Sequence, residues 1–197
     1  IRTLKGHVTI LPFMGQMLWD ATFEGLNLGM SSQFDMPRPA PTIIGTYGCL
    51  GFHSGLLANG VPGPDDTHPV HGEFPTCRMD QATLFAAEDH RGRYVELWGR
   101  RNHVEGFGPH YDAEPTVRVY ETDTMIDWGM RVTNRSAFPM PLQYMAHLNP
   151  AFLPGATIHQ PAPFTPDRTQ VRRAVPAHVV PDPEYLAFID ELAADPG

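Results

Sequence analysis

The sequence predicts an all-β protein, an antiparallel β-sandwich, on three observations. Apolar residues recur with period two, the strand period, over most of the first 150 positions. Pro 21 and Gly 18 in 197 residues point to many turns and ordered loops rather than a helical bundle. Two pairs of strand-like segments are each joined by a short turn, as in hairpins.

Taken in order, residues 7–13 (His-Val-Thr-Ile-Leu-Pro-Phe) predict a first strand and residues 16–23 a second, with Gly15 at the bend. Residues 27–68 carry Pro37, Pro39, Pro41 and a run of glycines from Gly45 to Gly63. They predict an elaborated loop region that lines a site. Residues 82–88 and 93–99 predict a hairpin about Arg91-Gly92. A second hairpin turns near Thr122-Asp123, with Ile126, Trp128, Met130 and Val132 on one face and Asp127 and Arg131 on the other. Residues 142–149 alternate: Leu142, Tyr144, Ala146 and Leu148 form a core-like face, and Gln143, Met145, His147 and Asn149 a polar, cleft-like one. Residues 150–181 predict loop. Residues 183–194 predict the one helix, with Asp182 as N-cap, Pro183 at the first helical position, and Leu186, Ile189 and Leu192 at three-residue steps. No internal repeat or linker divides the chain, which predicts a single domain over 1–197.

An apolar fraction of 42% and a charged fraction of 18% suit a folded domain and exclude wholesale disorder. The net charge is −8, with no basic run, so nucleic acid is not an expected partner. A neutral or cationic small molecule fits this charge better than a polyanion. No apolar run reaches membrane-spanning length, and no membrane partner is expected. Cys49 and Cys77 are too few for a disulfide framework. With no signal-peptide pattern at the start, the cytoplasm is the expected compartment.

Three clusters carry chemistry-bearing side chains. The first is His68-Pro69-Val70-His71-Gly72-Glu73, beside a glycine-rich segment that includes His53. The second is Asn134-Arg135-Ser136-Ala137-Phe138-Pro139-Met140-Pro141, leading into the strand that ends His147-Leu148-Asn149. The third is His103 and His110 around Gly106-Phe107-Gly108. Each has a plainer reading. His71 can cap a turn beside Gly72, Asn134 can be a turn residue, Asn149 can bond the following loop, and His103 and His110 can be surface loop residues. Trp19 and Trp98 can stack on sugar faces, while Trp128 has the apolar strand partners of a core residue.

The order of several motifs resembles the galactose-mutarotase-like, or aldose 1-epimerase, superfamily, and an epimerase-related branch of it in particular. They are Pro12-Phe13-Met14-Gly15-Gln16-Met17, the glycines from Gly48-Cys49-Leu50-Gly51 through Gly60-Val61-Pro62, and His71-Gly72. Val132-Thr133-Asn134 with Pro139 and Pro141 follows, and then Tyr144 through Asn149. The resemblance spans about residues 6–155 and rests on order and spacing, since no one motif is diagnostic. It implies a large antiparallel β-supersandwich that holds a sugar in its concave face, and a carbohydrate-metabolising isomerase that opens the sugar ring by acid–base chemistry. His71 matches the histidine that positions the sugar. His147 matches the general acid toward the ring oxygen. Asn149, Asn134, Gln143 and His53 are the expected further sugar contacts, and no cofactor is required.

Two departures stand out. The resemblance implies an arginine just past the His-Gly pair, where Glu73, Phe74 and Pro75 stand. It also implies a glutamate base well downstream of the second histidine, and nothing after His147 matches that motif; Glu184 and Glu191 fall in the predicted helix. The expectation is therefore a sandwich incomplete at its C-terminus, the N-terminal portion of a longer chain, completed by a further segment or by a homo-oligomeric partner. Two other functions remain open. His68, His71 and Glu73 have the donors of a divalent-metal site, which predicts a metal-dependent sugar isomerase, with His53 or His147 completing the set. A non-catalytic sugar-binding module is the third reading.

Overall fold

The computed structural model describes residues 1–175 and 178–197. The chain divides into two compact units, Ile1–Phe152 and Leu153–Gly197. The first unit holds two antiparallel sheets and is an all-β sandwich. The first sheet contains β1 (Gly6–Leu11), β2 (Met17–Phe23), β3 (Leu26–Asn27), β4 (Gly51–Ser54) and β9 (Met145–Leu148) in the order β1-β2-β4-β9, with β3 on β2. The second contains β5 (Gln81–Asp89), β6 (Gly92–Val104), β7 (His110–Tyr120) and β8 (Ile126–Asn134) in sequence order. Both predicted hairpins form, the first turning at Gly92, whose φ is +116°.

Alternation decides what each sheet buries. Val8, Leu18, Ala21, Phe23 and Leu50 of the first sheet and its approach pack against Val117 and Val119 of the second, with Ile126 and Trp128 at the margin. Burying a side chain of this size contributes about 1.5–3 kcal/mol. The opposite face of the first sheet is also covered. Met17 and Phe52 point there and pack with Ile43 and Cys49 of the preceding loop, flanked by Trp19, Tyr47 and Val70. A third cluster, Leu56, Phe74, Met79, Tyr111 and Ala113, ties the loop after β4 to β7. Asp127 faces the opposite way from Trp128 and bonds Arg91 at 2.8 Å.

The long 27–68 segment is not a continuous loop. It begins on the last residue of β3 and contains a 3-10 turn at Ile43–Thr46 and β4. Gly51–Ser54 is buried at every position, so it shows no alternation to read. The 142–149 strand is shorter than expected, Met145–Leu148, and its apolar face is only partly enclosed: Leu142 is 56% and Leu148 54% exposed. That face does look toward the second sheet, since Leu148 and Trp128 both approach Gly51.

In the second unit, helix α1 (Pro183–Ala194) forms where its capping signals stand, and the Asp182 carboxylate accepts from the Glu184 N–H at 2.8 Å. No helix among the described residues is long and apolar enough to cross a membrane.

Candidate functional site

The site is built on the loop-covered face of the first sheet. β4 pairs β9 with Phe52 opposite His147, so these side chains lie together on one face. Their rings stack at 4.5 Å with 15° between planes. His71 closes the group. Its ring stands edge-on to His147 at 4.8 Å and 74°, and to Phe52 at 5.4 Å and 64°. Tyr47, just past the 3-10 turn, brings its hydroxyl to 3.2 Å from His147 Nε2.

Main-chain contacts fix His71 in place. Its N–H donates to Gly60 O and its carbonyl accepts from Gly55 N–H, each at 2.8 Å, while Ser54 Oγ donates to the same carbonyl at 3.3 Å. His71 itself has φ +65°, an uncommon conformation for a residue with a side chain. Gly72 follows at φ +81°, and a Cβ there would stand 2.2 Å from Ala58 O and 2.7 Å from Gly55 O. Glu73 then reaches back. Its carboxylate accepts the N–H groups of Leu56 and Leu57 at 3.0 and 3.1 Å and the hydroxyl of Tyr111 at 2.8 Å. The arginine that the resemblance implies past His-Gly is thus replaced by a carboxylate that organises the loop.

Burial lowers both imidazole pKa values, and for His147 the neighbouring His71 adds to the effect. Burial also raises the Tyr47 phenol, with Cys49 nearby adding to it. At neutral pH the group therefore holds two neutral imidazoles and a protonated phenol. Nδ1 of His71 and Nδ1 of His147 are both buried without a hydrogen-bond partner. If Tyr47 donates to Nε2, the neutral ring of His147 carries its proton on Nδ1.

The structure thus brings His71 and His147 together and places the other expected contacts elsewhere. His53 points from the opposite face of β4, where its ring lies 4.5 Å from Trp128 and Nδ1 lies 2.9 Å from the Tyr144 hydroxyl. Burial lowers its pKa to about 3. Asn149 is buried and donates from Nδ2 to Cys49 O at 3.1 Å, a pin for the loop before β4. Asn134 organises its own turn, donating to Phe138 O and accepting from the Ser136 N–H and hydroxyl. Gln143 is exposed, and its N–H donates to Leu56 O. His103 stacks on Tyr111 at 4.7 Å, and His110 approaches Asn102 at 3.2 Å.

The metal set His68, His71 and Glu73 is not assembled. Glu73 is committed to Leu56, Leu57 and Tyr111, and His68 Nδ1 lies 2.9 Å from Pro69 O. Among the described residues, no three His, Cys, Asp or Glu side chains are grouped to hold a metal ion. Cys49 and Cys77 are free thiols, and burial pushes each up to about 12.

Tyr47 and Phe52 are the members that sequence reading missed. Tyr47 stands inside a glycine-rich stretch, and Phe52 lies in a strand too short and too buried to show a period. The hollows of about 570 Å³ beside Leu4, Tyr94 and Glu121 and about 460 Å³ beside Phe13, Pro37 and Arg78 are lined by neither imidazole. Comparison of the chain with protein-family models, with curated proteins and with solved structures gives no match.

Proposed function

We propose that this protein is a carbohydrate-binding isomerase of the aldose 1-epimerase type, with His71 and His147 as its acid–base pair. The observation that carries this reading is the edge-to-face contact of the two imidazoles, 4.8 Å apart on the Phe52 ring, with both Nδ1 atoms buried and unpartnered. Opening a sugar ring needs a proton delivered to the ring oxygen and another taken from the anomeric hydroxyl. A pair that has taken up one proton can do both, one ring as imidazolium and the other as free base; because burial lowers both pKa values, that form is populated below neutral pH. His147, oriented by Tyr47, is the donor to the ring oxygen. His71 is the acceptor from the anomeric hydroxyl, in place of the glutamate that the resemblance to mutarotases implies.

The test is anomer interconversion of D-glucose and D-galactose, followed by NMR or polarimetry. His71→Gln and His147→Gln should each reduce the rate by about 10²-fold or more. A rate unaffected by the double substitution would sink the reading.

A second reading, a sugar-binding module without turnover, draws on a different observation. Among the described residues no carboxylate hydrogen-bonds either imidazole, so the acid–base strength of the pair comes from the two rings alone. Calorimetry that shows sugar binding with no interconversion would select it.

A further inference from the structure

The outer strands of the two sheets leave their edges in different states. The free side of β1 is covered by the chain itself: the Ile1 amino group donates to Val8 O at 2.8 Å, the Val8 N–H donates to Ile1 O at 2.9 Å, and Arg2 bridges His7. β9 is only four residues long, and β8 carries Asp127 and Arg131 along its length. Covered, short and charged edges all resist pairing with another chain.

β5 has none of these defences. It runs nine residues and, among the described residues, pairs only β6. Its register is unbroken from Gln81 opposite Arg100 to Asp89 opposite Gly92. It holds no bulge, proline or lysine, and its charges, Glu88 and Asp89, stand together at one end. Every residue but Ala82 and Asp89 is exposed. Neither face is therefore closed. Leu84, beside Leu97 on the inner face, is 60% exposed, and Phe85 on the outer face is 40% exposed. A hollow of about 320 Å³ opens along the inner face between Leu84, Ala82, Ile10 and Phe13.

The residue pattern of this strand complements itself. About a two-fold axis at Phe85, an antiparallel pair sets Phe85 against the partner's Phe85 and Leu84 against the partner's Ala86. Thr83 then meets the partner's Ala87, Ala82 the partner's Glu88, and Gln81 the partner's Asp89. All nine residues are paired, and no two like charges are opposed. The carboxylates of the two copies fall at opposite ends of the ladder. Moving the axis along the strand leaves residues without partners, so the pattern favours this register.

We infer that β5 is a self-association edge, through which two copies of this chain join their four-stranded sheets into one continuous sheet. The inference is independent of the carbohydrate reading above. Both copies use the same strand, so pairing consumes the edge and stops at a dimer. Nine residues a side is well below the about 20–30 of a standard interface, so the dimer is weak and depends on concentration.

The test is sedimentation equilibrium of the full chain from about 1 to 500 µM, over which the weight-average mass should rise from that of one copy toward that of two. Phe85→Lys opposes two like charges at the axis and should weaken association about tenfold or more; the side chain is exposed, so the fold survives the change. The register has its own readout. Under mild oxidation Phe85→Cys should form an intermolecular disulfide about tenfold faster than Ala87→Cys, because only at the axis do identical positions come within bonding reach. Ala87 is exposed on the same face and serves as the control. A chain that stays monomeric at the highest concentration overturns the inference. So does a dimer unmoved by Phe85→Lys, equal cross-linking at the two positions, or growth into species larger than a dimer.

Discussion

The Tyr47 hydroxyl lies 3.2 Å from Nε2 of His147, while Nδ1 of the same ring is buried with no partner. One nitrogen is thus oriented by the protein and the other has no protein partner. Tyr47→Phe removes the orienting group without changing the ring's shape. The expected result is a rate of interconversion about tenfold lower, with sugar affinity nearly unchanged, as for the loss of one hydrogen bond of about 1–1.5 kcal/mol. Steady-state kinetics of the two proteins check it.

Burial lowers the pKa of both His71 and His147. Proton NMR of the imidazole C–H signals should show both titrating below 6.5, in coupled steps. The pH–rate profile should lose its free-base limb in the same range. Titration of either ring above 6.5 would mean that some negative group, rather than desolvation, governs the pair.

His53 makes a separate acid-stability prediction. Its folded-state pKa is about 3, below the unfolded value of about 6.5. The unfolded chain takes up the proton first, so the contribution of neutral His53 is fully present above about pH 6.5 and is lost as pH falls toward 3. The slope from this one group approaches about 1.4 kcal/mol per pH unit. Denaturant midpoints measured from pH 7 to pH 4 should fall more steeply for the parent protein than for His53→Asn.

Glu73 accepts from Leu56, Leu57 and Tyr111. Glu73→Ala leaves three donors unmet and should cost about 2–4 kcal/mol, with Glu73→Gln milder because one carbonyl oxygen remains. Urea unfolding gives the numbers. The His71 NMR signal should move in both variants, since the loop that holds it is no longer pinned.

Gly72 sits at φ +81° against two carbonyl oxygens. Gly72→Ala combines a strained backbone with an oxygen contact no side chain tolerates, and a loss of about 3 kcal/mol or more is expected. Thermal melting checks it. A stability change under about 1 kcal/mol would mean that the 71–73 turn relaxes more freely than its packing allows.

The sandwich was legible because the period of two repeats through β1, β2 and the second sheet, and because hairpin turns announce antiparallel neighbours. β4 was not legible: Gly51–Ser54 is buried on both faces, and a four-residue strand without alternation looks like loop. The meeting of His71 with His147 could not be read from local pattern, because it depends on β4 pairing β9; only the resemblance in motif order pointed to it. Asn149, Asn134 and His53 carry side chains that bind sugars equally well on paper. Each is instead used by the fold, as a loop pin, a turn organiser and a core residue. Polar residue type says that a group needs a partner, and only the tertiary structure says whether that partner is the protein or a ligand.

The bond from the Tyr111 hydroxyl to Glu73 Oε1, 2.8 Å long, runs from β7 of the second sheet to the loop that carries His71. The turn that carries His71 is therefore tied to both halves of the sandwich. A substitution that shifts β7 against the first sheet would be felt at the His71 turn through a single hydrogen bond.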